Sequence, residues 1–226
     1  MEVSKNEVVI IGGGIAGVTC AIELENRGIR PLILEATDRV GGRVKTDHKE
    51  GYLFDHGFQV LLTAYPEAQQ YLNYEKLGLK TFDPGAVIYD GNGQYEISDP
   101  LRNPASVFSM AFSPVGGVGD KLKMAKLASA VKKQRLEVLF SKGEVTTLAY
   151  LRNYGFSERI ISNFFKPFFG GIYLENELGT SSRMFEFVFK MFSEGSAAIP
   201  AKGMEEIPKQ LQSQLKHTDF RFYTRV

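Results

Sequence analysis

The stretch VVIIGGGIAG at residues 8–17 decides how this chain folds. Its unbroken β-branched run ends in glycine, which predicts a strand buried on both faces. Apolar residues then recur at helical spacing as far as Arg27, and Gly28 stands where a glycine would end the helix. A second apolar run at residues 32–34 predicts another buried strand. Strand, helix and strand joined by minimal loops predict a parallel βαβ unit with a right-handed crossover.

A G-x-G-x-x-G motif lies between the first strand and the helix. Gly12 permits the tight turn, Gly14 lets the backbone approach a pyrophosphate, and Gly17 lets the helix pack closely on the strand. The N-terminus of the helix favours phosphate charge, and this makes Ile15 and Ala16 candidate contacts as well. The motif therefore predicts a dinucleotide-binding turn.

The second predicted strand ends in a carboxylate, Glu35. A carboxylate at this place can accept the ribose hydroxyls of an adenosine, and it would repel a 2′-phosphate. The residue thus argues for a dinucleotide other than NADP. The alternative interpretation is a structural glycine turn that happens to be followed by a surface glutamate.

A second glycine pair follows Glu35 and Ala36, within the segment Arg-Val-Gly-Gly-Arg at residues 39–43. In this order the motifs resemble the flavin-containing amine oxidase and phytoene desaturase superfamily, which includes protoporphyrinogen oxidase-like proteins. The resemblance implies FAD as cofactor, with Gly42 and Arg43 lining its pyrophosphate and Ala36 among the cofactor-binding residues. It also implies an α/β fold: a Rossmann-like FAD-binding βαβ unit of the glutathione-reductase type with a mainly helical substrate-domain insert. An ordinary turn is the alternative interpretation of the glycine pair.

Two further segments carry the resemblance. In members of the family, the segment that matches Gly57, Phe58 and Gln59 runs past the flavin end of the cofactor. Phe58 replaces the small residue that is usual at its position. At the C-terminus, a loop with proline and glycine, a helix and a strand end at Val226. In the family the backbone of that valine contacts the adenine, so the resemblance implies that Val226 does so here.

Three regions are predicted along the chain. Residues 1–80 form the FAD-binding unit and its flavin-contact loops. Residues 81–210 form part of a substrate domain, mainly helical with a β-hairpin at 87–97, and residues 211–226 end a helix and return a strand next to the second strand of the first sheet. Superfamily members are longer, so we expect a truncated architecture with one unpaired sheet edge. A fragment, a subunit completed by another chain and a self-associating protein all remain open.

Two segments in the middle of the chain each have two interpretations. The phenylalanine-rich region 164–192 is either the wall of a lipophilic substrate cavity or, as favoured here, a helical core. The lysine-rich region 121–136 alternates with apolar residues and predicts a basic amphipathic stretch. Such a stretch is either a solvated surface, the favoured interpretation, or makes weak peripheral contact with an anionic membrane.

Composition limits the partners. The net charge of +1 over 226 residues argues against nucleic acid. The single cysteine, Cys20, excludes an intramolecular disulfide, and we expect a buried, inert thiol. His48 and His217 lack partners at ligand spacing, and His56 is interpreted as a hydrogen-bonding residue, so no metal site is predicted. The sequence contains no signal peptide or spanning segment, and a cytoplasmic location is expected.

Three functional hypotheses follow. The leading one is an FAD-dependent oxidoreductase that transfers a hydride from a C–N or C–C bond of an amine or lipophilic substrate to flavin, with no catalytic residue assigned. The second is a binding protein on the same architecture, such as a chaperone of a lipidated partner. Glu35 and residues 41–43 argue against it. The third is an NAD-linked dehydrogenase, in which a third strand and helix would stand in place of residues 39–43.

Overall fold

The computed structural model describes residues 8–57, 59–89, 93–98 and 115–226. The chain divides into two compact units, unit 1 (Met1–Thr81 and Ala197–Val226) and unit 2 (Phe82–Ser196). Unit 1 begins with β1 (Val8–Ile11), α1 (Ile15–Glu25), β2 (Pro31–Leu34), β3 (Thr46–Lys49), β4 (Tyr52–Asp55), β5 (Leu61–Leu62), α2 (Pro66–Tyr71), α3 (Tyr74–Leu77) and β6 (Lys80–Thr81). Unit 2 contains β7 (Gly85–Tyr89), β8 (Gln94–Ser98), α4 (Val118–Lys132), α5 (Leu136–Ser141), α6 (Thr147–Tyr154), α7 (Glu158–Ile160), a π-helical segment (Ile161–Phe165), α8 (Lys166–Tyr173) and α9 (Ser182–Glu194). Unit 1 is completed by β9 (Ala197–Ile199), α10 (Glu206–Gln212) and β10 (Asp219–Arg221).

The first sheet of unit 1 has the strand order β1-β2-β10, and both pairs are parallel. Val9 lies opposite Leu32, and Phe220 lies opposite Ile33. The C-terminal strand therefore lies next to the second strand, as the sequence predicts. Helix α1 connects β1 to β2 and buries Val18 and Ile22, so strand, helix and strand form the predicted βαβ unit.

Two predictions of burial in this region are wrong. β1 is buried on one side only, because Val9 is 54% and Ile11 68% exposed. The cause is the strand order: β1 is an edge strand, with β2 as its single strand neighbour among the described residues. Cys20 is exposed rather than buried, because α1 packs through the opposite side, which carries Val18 and Ala21. The predicted unpaired, apolar sheet edge is thus present.

Two smaller sheets complete unit 1. β3 and β4 form an antiparallel hairpin, and β9 lies between β5 and β6, antiparallel to both. The backbone on both sides of β9 is hydrogen-bonded and Ala198 is fully buried. For this reason the chain returns to unit 1 at residue 197, earlier than the predicted residue 211.

Unit 2 consists of a hairpin and a helical part. β7 and β8 pair antiparallel, as predicted, while residues 90–92 of their turn lie outside the described part of the chain. The helical part has an aromatic core in which Phe165, Phe169 and Phe185 are fully buried, with the rings of Phe169 and Phe185 centred 4.8 Å apart. The core interpretation of these phenylalanines is therefore confirmed.

Candidate cofactor-binding site

The two glycine segments of unit 1 lie side by side. Gly41 N donates a hydrogen bond to Gly13 O at 2.8 Å, and Gly14 and Gly41 form a parallel bridge. A Cβ added to Gly42 would lie 3.3 Å from the Cα of Gly14, and Gly42 has a φ of +58°. The fold therefore brings together two backbone segments that both lack side chains.

The glycines of the first motif are required for different reasons. Gly12 has a φ of +94°, so the geometry of the turn requires glycine there. A Cβ on Gly17 would lie 2.0 Å from Gly12 O, so the close packing of the helix requires glycine at this second position. Gly14 has an ordinary φ of −69°, and a Cβ added there would meet nothing within 4 Å. No described protein atom accounts for glycine at this position, whereas a ligand that approaches the backbone closely would.

The N-terminus of α1 opens beside this space. Its N-cap is Gly14, no side chain caps it, and no acidic residue lies in its first turn. The first N–H groups of a helix have no partner within the helix and carry a partial positive charge. Ala16 in this turn is exposed and Ile15 is partly exposed. These features suit an anionic group such as a pyrophosphate.

Glu35 is buried at the carboxyl end of β2, with 7% of its surface exposed. One carboxylate oxygen accepts Gly13 N–H at 2.7 Å, and the other accepts Thr37 N–H and Thr37 Oγ1–H, both at 2.8 Å. Burial raises the pKa of the Glu35 carboxyl, but the hydrogen bonds from Thr37 and Gly13 outweigh it and place the pKa below its ordinary value. The side chain is therefore ionised at neutral pH, and the oxygen that accepts only Gly13 N–H has capacity for one more donor, such as a hydroxyl group.

The remaining predicted residues occupy the same unit. Arg43 is exposed, and Gln59 Nε2 donates to Arg43 O at 2.9 Å and to His56 O at 2.6 Å. Gly57 has a φ of +77°, and Phe58 lies outside the described residues. The segment after Gly57 is thus joined to the second glycine segment, as a shared binding surface requires.

The C-terminal segment reaches the end of the sheet where Glu35 lies. Thr224 N donates to Glu35 O at 2.9 Å, and Tyr223 N donates to Thr37 O at 3.0 Å. Val226 follows two positions after Thr224, and its side chain is 76% exposed. Ala36 is also exposed. The structure therefore places Val226 near the Glu35 end of the site, with most of its surface exposed.

Sequence reasoning missed a buried polar network that joins the β3–β4 hairpin to the loop before α10. Thr46 Oγ1 donates to Asp55 Oδ1 at 2.5 Å, Met204 N donates to the same oxygen at 2.9 Å, and Glu205 N donates to Thr46 Oγ1 at 3.0 Å. A Cβ on Gly203 would lie 2.5 Å from Thr46. The partners are about 150 residues apart in sequence, so no local pattern could have indicated them.

A hydrogen-bonded pair lies at the exposed side of this network. His56 Nε2 is 2.8 Å from Asp47 Oδ2, and the hydrogen bond from His56 holds the pKa of the Asp47 carboxyl below its usual range. His56 is thus a hydrogen-bonding residue, as interpreted from the sequence. In the part of the chain that the structure describes, no three His, Cys, Asp or Glu side chains gather as metal ligands.

Unit 2 has an open pocket of about 450 Å³. Its walls include Lys166, Pro167, Leu174 and Glu175. The buried phenylalanines of the aromatic core do not line it. The pocket therefore mixes charged and apolar walls, and differs from the lipophilic cavity considered for the aromatic region.

Comparison with known proteins places the chain among flavoproteins. The profile of the flavin-containing amine oxidoreductases matches residues 15–226. The chloroplastic and mitochondrial protoporphyrinogen oxidase 2 of Arabidopsis thaliana is 24% identical over 169 residues, which make up 75% of this chain and 33% of that protein.

Solved structures with the same fold include an oxidoreductase and a Rab GDI. An oxidoreductase from Methanosarcina mazei has a TM-score of 0.65 and 18% identity, and the match covers 96% of this chain and 51% of that one. The Rab GDI of Plasmodium falciparum has a TM-score of 0.56 and 12% identity, with coverages of 96% and 57%. The chain thus spans 33% of the plant relative and about half of these two structures.

Proposed function

Because the chain belongs to the flavin-containing amine oxidoreductases, we propose that it is the FAD-binding part of an oxidoreductase. The substrate is an amine or a lipophilic molecule from which a hydride leaves a C–N or C–C bond. The observation that carries the proposal is the open space at Gly14, bordered by Gly42 and by the uncapped N-terminus of α1. When bound, FAD supplies the electron-accepting ring, and the residues of the protein bind and orient it.

Each part of the cofactor has candidate contacts in unit 1, which we infer to be a Rossmann-like unit of the glutathione-reductase type. The pyrophosphate lies against the two glycine segments and the first turn of α1, where no side chain stands in its way. A ribose hydroxyl donates to Glu35. The adenine lies by Val226, and the flavin end runs past Gly57 and Gln59. The full set of proposed contacts is Gly12, Gly14, Ile15, Ala16, Gly17, Glu35, Ala36, Gly42, Arg43, Gly57, Phe58, Gln59 and Val226.

The charge of Glu35 selects the dinucleotide. Its depressed pKa keeps the carboxylate ionised, so it accepts a ribose 2′-hydroxyl and repels a 2′-phosphate. The second glycine segment beside Gly14 favours FAD over NAD, because an NAD site needs no second phosphate-contacting loop at residues 41–43. The second hypothesis, a chaperone of a lipidated partner on the same architecture, needs neither the buried carboxylate nor the two paired glycine segments.

The proposal is tested by titrating the purified chain with FAD, followed by flavin fluorescence, and with ADP, followed by isothermal titration calorimetry. Glu35→Gln replaces one acceptor oxygen by an amide that faces the Gly13 N–H, and removes the charge. Hydrogen bonds to a charged group contribute about 1.5–3 kcal/mol, so we expect the affinities for FAD and ADP to fall about ten- to a hundredfold together. Gln59→Ala is expected to lower the affinity for FAD but not for ADP, because Gln59 lies at the flavin end of the proposed site.

The matched control is Glu67→Gln, an exposed glutamate in the first turn of α2. It removes the same charge from the same unit away from the glycine segments and should leave both affinities unchanged. A folded chain that binds NAD as tightly as FAD would contradict the proposal. So would flavin binding that is equally insensitive to the Glu35 and Glu67 substitutions.

A further inference from the structure

Helix α4 in unit 2 has an apolar ridge on its exposed side. The helix packs inward through Leu127 and Val131, which are buried, and through Asp120. Val118 is 69% and Leu122 is 68% exposed. These two residues are four apart, so they lie above one another on the outer face. The apolar residues of the basic stretch are therefore divided between the core and the solvent side.

Lysines flank this ridge on both sides. Ala125 and Ser129 continue the line of Val118 and Leu122 along the outer face, because the spacing of three and four residues follows the helical repeat. The lysines flank this line in pairs: Lys126 and Lys133 lie on one side, Lys121 and Lys132 on the other.

The charge of this surface is unbalanced. Residues 118–135 contain six lysine and arginine side chains and one acidic side chain, Asp120, whereas the whole chain has a net charge of +1. Asp120 is turned inward: it accepts hydrogen bonds from Gly117 N at 3.0 Å and from Ser157 N and Oγ at 3.0 and 2.7 Å. It therefore does not neutralise the outer face.

The neighbouring acidic groups are also engaged. Glu158 pairs with Arg152 at 2.7 Å, and Glu137 pairs with Arg135 at 3.4 Å. Among the described residues, no ion pair involves Lys126, Lys132 or Lys133. Burial lowers the pKa of Lys121, and the nearby charge of Arg159 adds to this effect.

We propose that α4 docks flat on an anionic lipid bilayer. Val118 and Leu122 enter the boundary between headgroups and acyl chains, and the flanking lysines bind the anionic headgroups. Exposed apolar side chains bordered by lysines are a feature that this face shares with interfacial helices, and each lysine near an anionic surface adds attraction. None of the described helices is long and apolar enough to span a membrane. The proposal is independent of the flavin site.

A tryptophan reporter tests the location of the contact, since the sequence contains no tryptophan. Leu122→Trp is expected to shift its emission to the blue when vesicles of phosphatidylcholine with phosphatidylserine are added, and not with phosphatidylcholine alone. Leu53→Trp, on the 44% exposed position of β4 in unit 1, is the matched control and should not shift. Equal shifts at both positions would overturn the proposal, because they indicate unspecific adsorption.

Cosedimentation with the same vesicles tests the chemistry. Attraction of about fivefold per lysine predicts that Lys126→Gln with Lys133→Gln lowers the partition coefficient about 25-fold. Leu122→Ser should lower it on the order of tenfold. The control pair Lys49→Gln with Lys80→Gln removes the same charge from exposed strand positions of unit 1 and should leave binding unchanged.

Three results would overturn the proposal. Equal loss in both lysine pairs would indicate diffuse electrostatics. A loss with the α4 lysines but none with Leu122→Ser would indicate adsorption to the headgroups without insertion of the ridge. Equal binding to vesicles with and without phosphatidylserine would exclude the role of the lysines. All substituted positions are exposed, so far-UV circular dichroism and unfolding midpoints are expected to match those of the parent chain.

Discussion

Substitution of Gly42 by alanine separates the requirement for a glycine backbone from the requirement for empty space. Gly42 has a φ of +58°, and a Cβ there would lie 3.3 Å from the Cα of Gly14. The left-handed conformation costs alanine about 1–2 kcal/mol relative to glycine. The close contact adds to this, because Gly14 is backbone and is held by the hydrogen bond between Gly41 N and Gly13 O. Overpacking of this kind costs about 1–3 kcal/mol.

Gly28→Ala is the matched control. Gly28 has a φ of +77°, similar to that of Gly42, but a Cβ there would meet nothing within 4 Å. Both variants should therefore lose about 1–2 kcal/mol of unfolding free energy through the backbone. Gly42→Ala should lose about 1–3 kcal/mol more, and it should also bind FAD more weakly because the methyl group displaces Gly14.

Urea denaturation and flavin titration measure the two effects. The expected result is a larger loss of stability for Gly42→Ala than for Gly28→Ala, together with reduced FAD affinity in Gly42→Ala alone. If the two variants lose equal stability and both bind FAD like the parent chain, the contact between the glycine segments contributes nothing. The inference that the contact between the two glycine segments shapes the FAD site would then be refuted.

Two further predictions concern unit 2. Phe169→Ala removes a fully buried ring and should lower the free energy of unfolding of the unit by about 3–5 kcal/mol in urea denaturation. Phe82→Ala, at a position 51% exposed, should change this free energy by less than about 0.5 kcal/mol. Burial raises the pKa of Asp120, but hydrogen bonds from Ser157 and Gly117 outweigh it and lower the pKa. Because the folded-state pKa is the lower one, Asp120 stabilises the fold above the unfolded pKa of about 4 and loses this effect as the pH falls through the folded pKa. Asp120→Asn should therefore reduce stability by about 1–3 kcal/mol at neutral pH, and the difference from the parent chain should shrink in acid; a difference independent of pH would contradict this.

The local motifs of unit 1 could be predicted because each depends on residues close in sequence. The β-branched run, the helical periodicity and the terminal Gly28 specify strand, helix and strand without reference to the remaining chain. The need for glycine at residues 12 and 17 also follows from the turn and from helix packing. For the same reason the Thr37 hydroxyl that holds Glu35 was within reach of local reasoning, since the two residues are two positions apart.

Burial at the sheet edge could not be predicted in the same way. The pattern of β1 is that of a central strand, and only the order β1-β2-β10 makes it an edge with Val9 and Ile11 exposed. The exposure of Cys20 has the same origin, because helical periodicity does not state which side of a helix its neighbours cover. The outward direction of Leu122 on α4 likewise depends on how unit 2 packs.

The sequence by itself determined the βαβ unit, the two glycine motifs and the carboxylate after the second strand, because short-range sterics and hydrophobic periodicity dictate them. Only the tertiary structure decided that Gly14 and Gly42 meet, that Thr46 and Asp55 bind the backbone at Met204 and Glu205, and which apolar residues remain at the surface. These contacts join segments far apart in the chain, and they depend on strand order and packing, which no local pattern encodes.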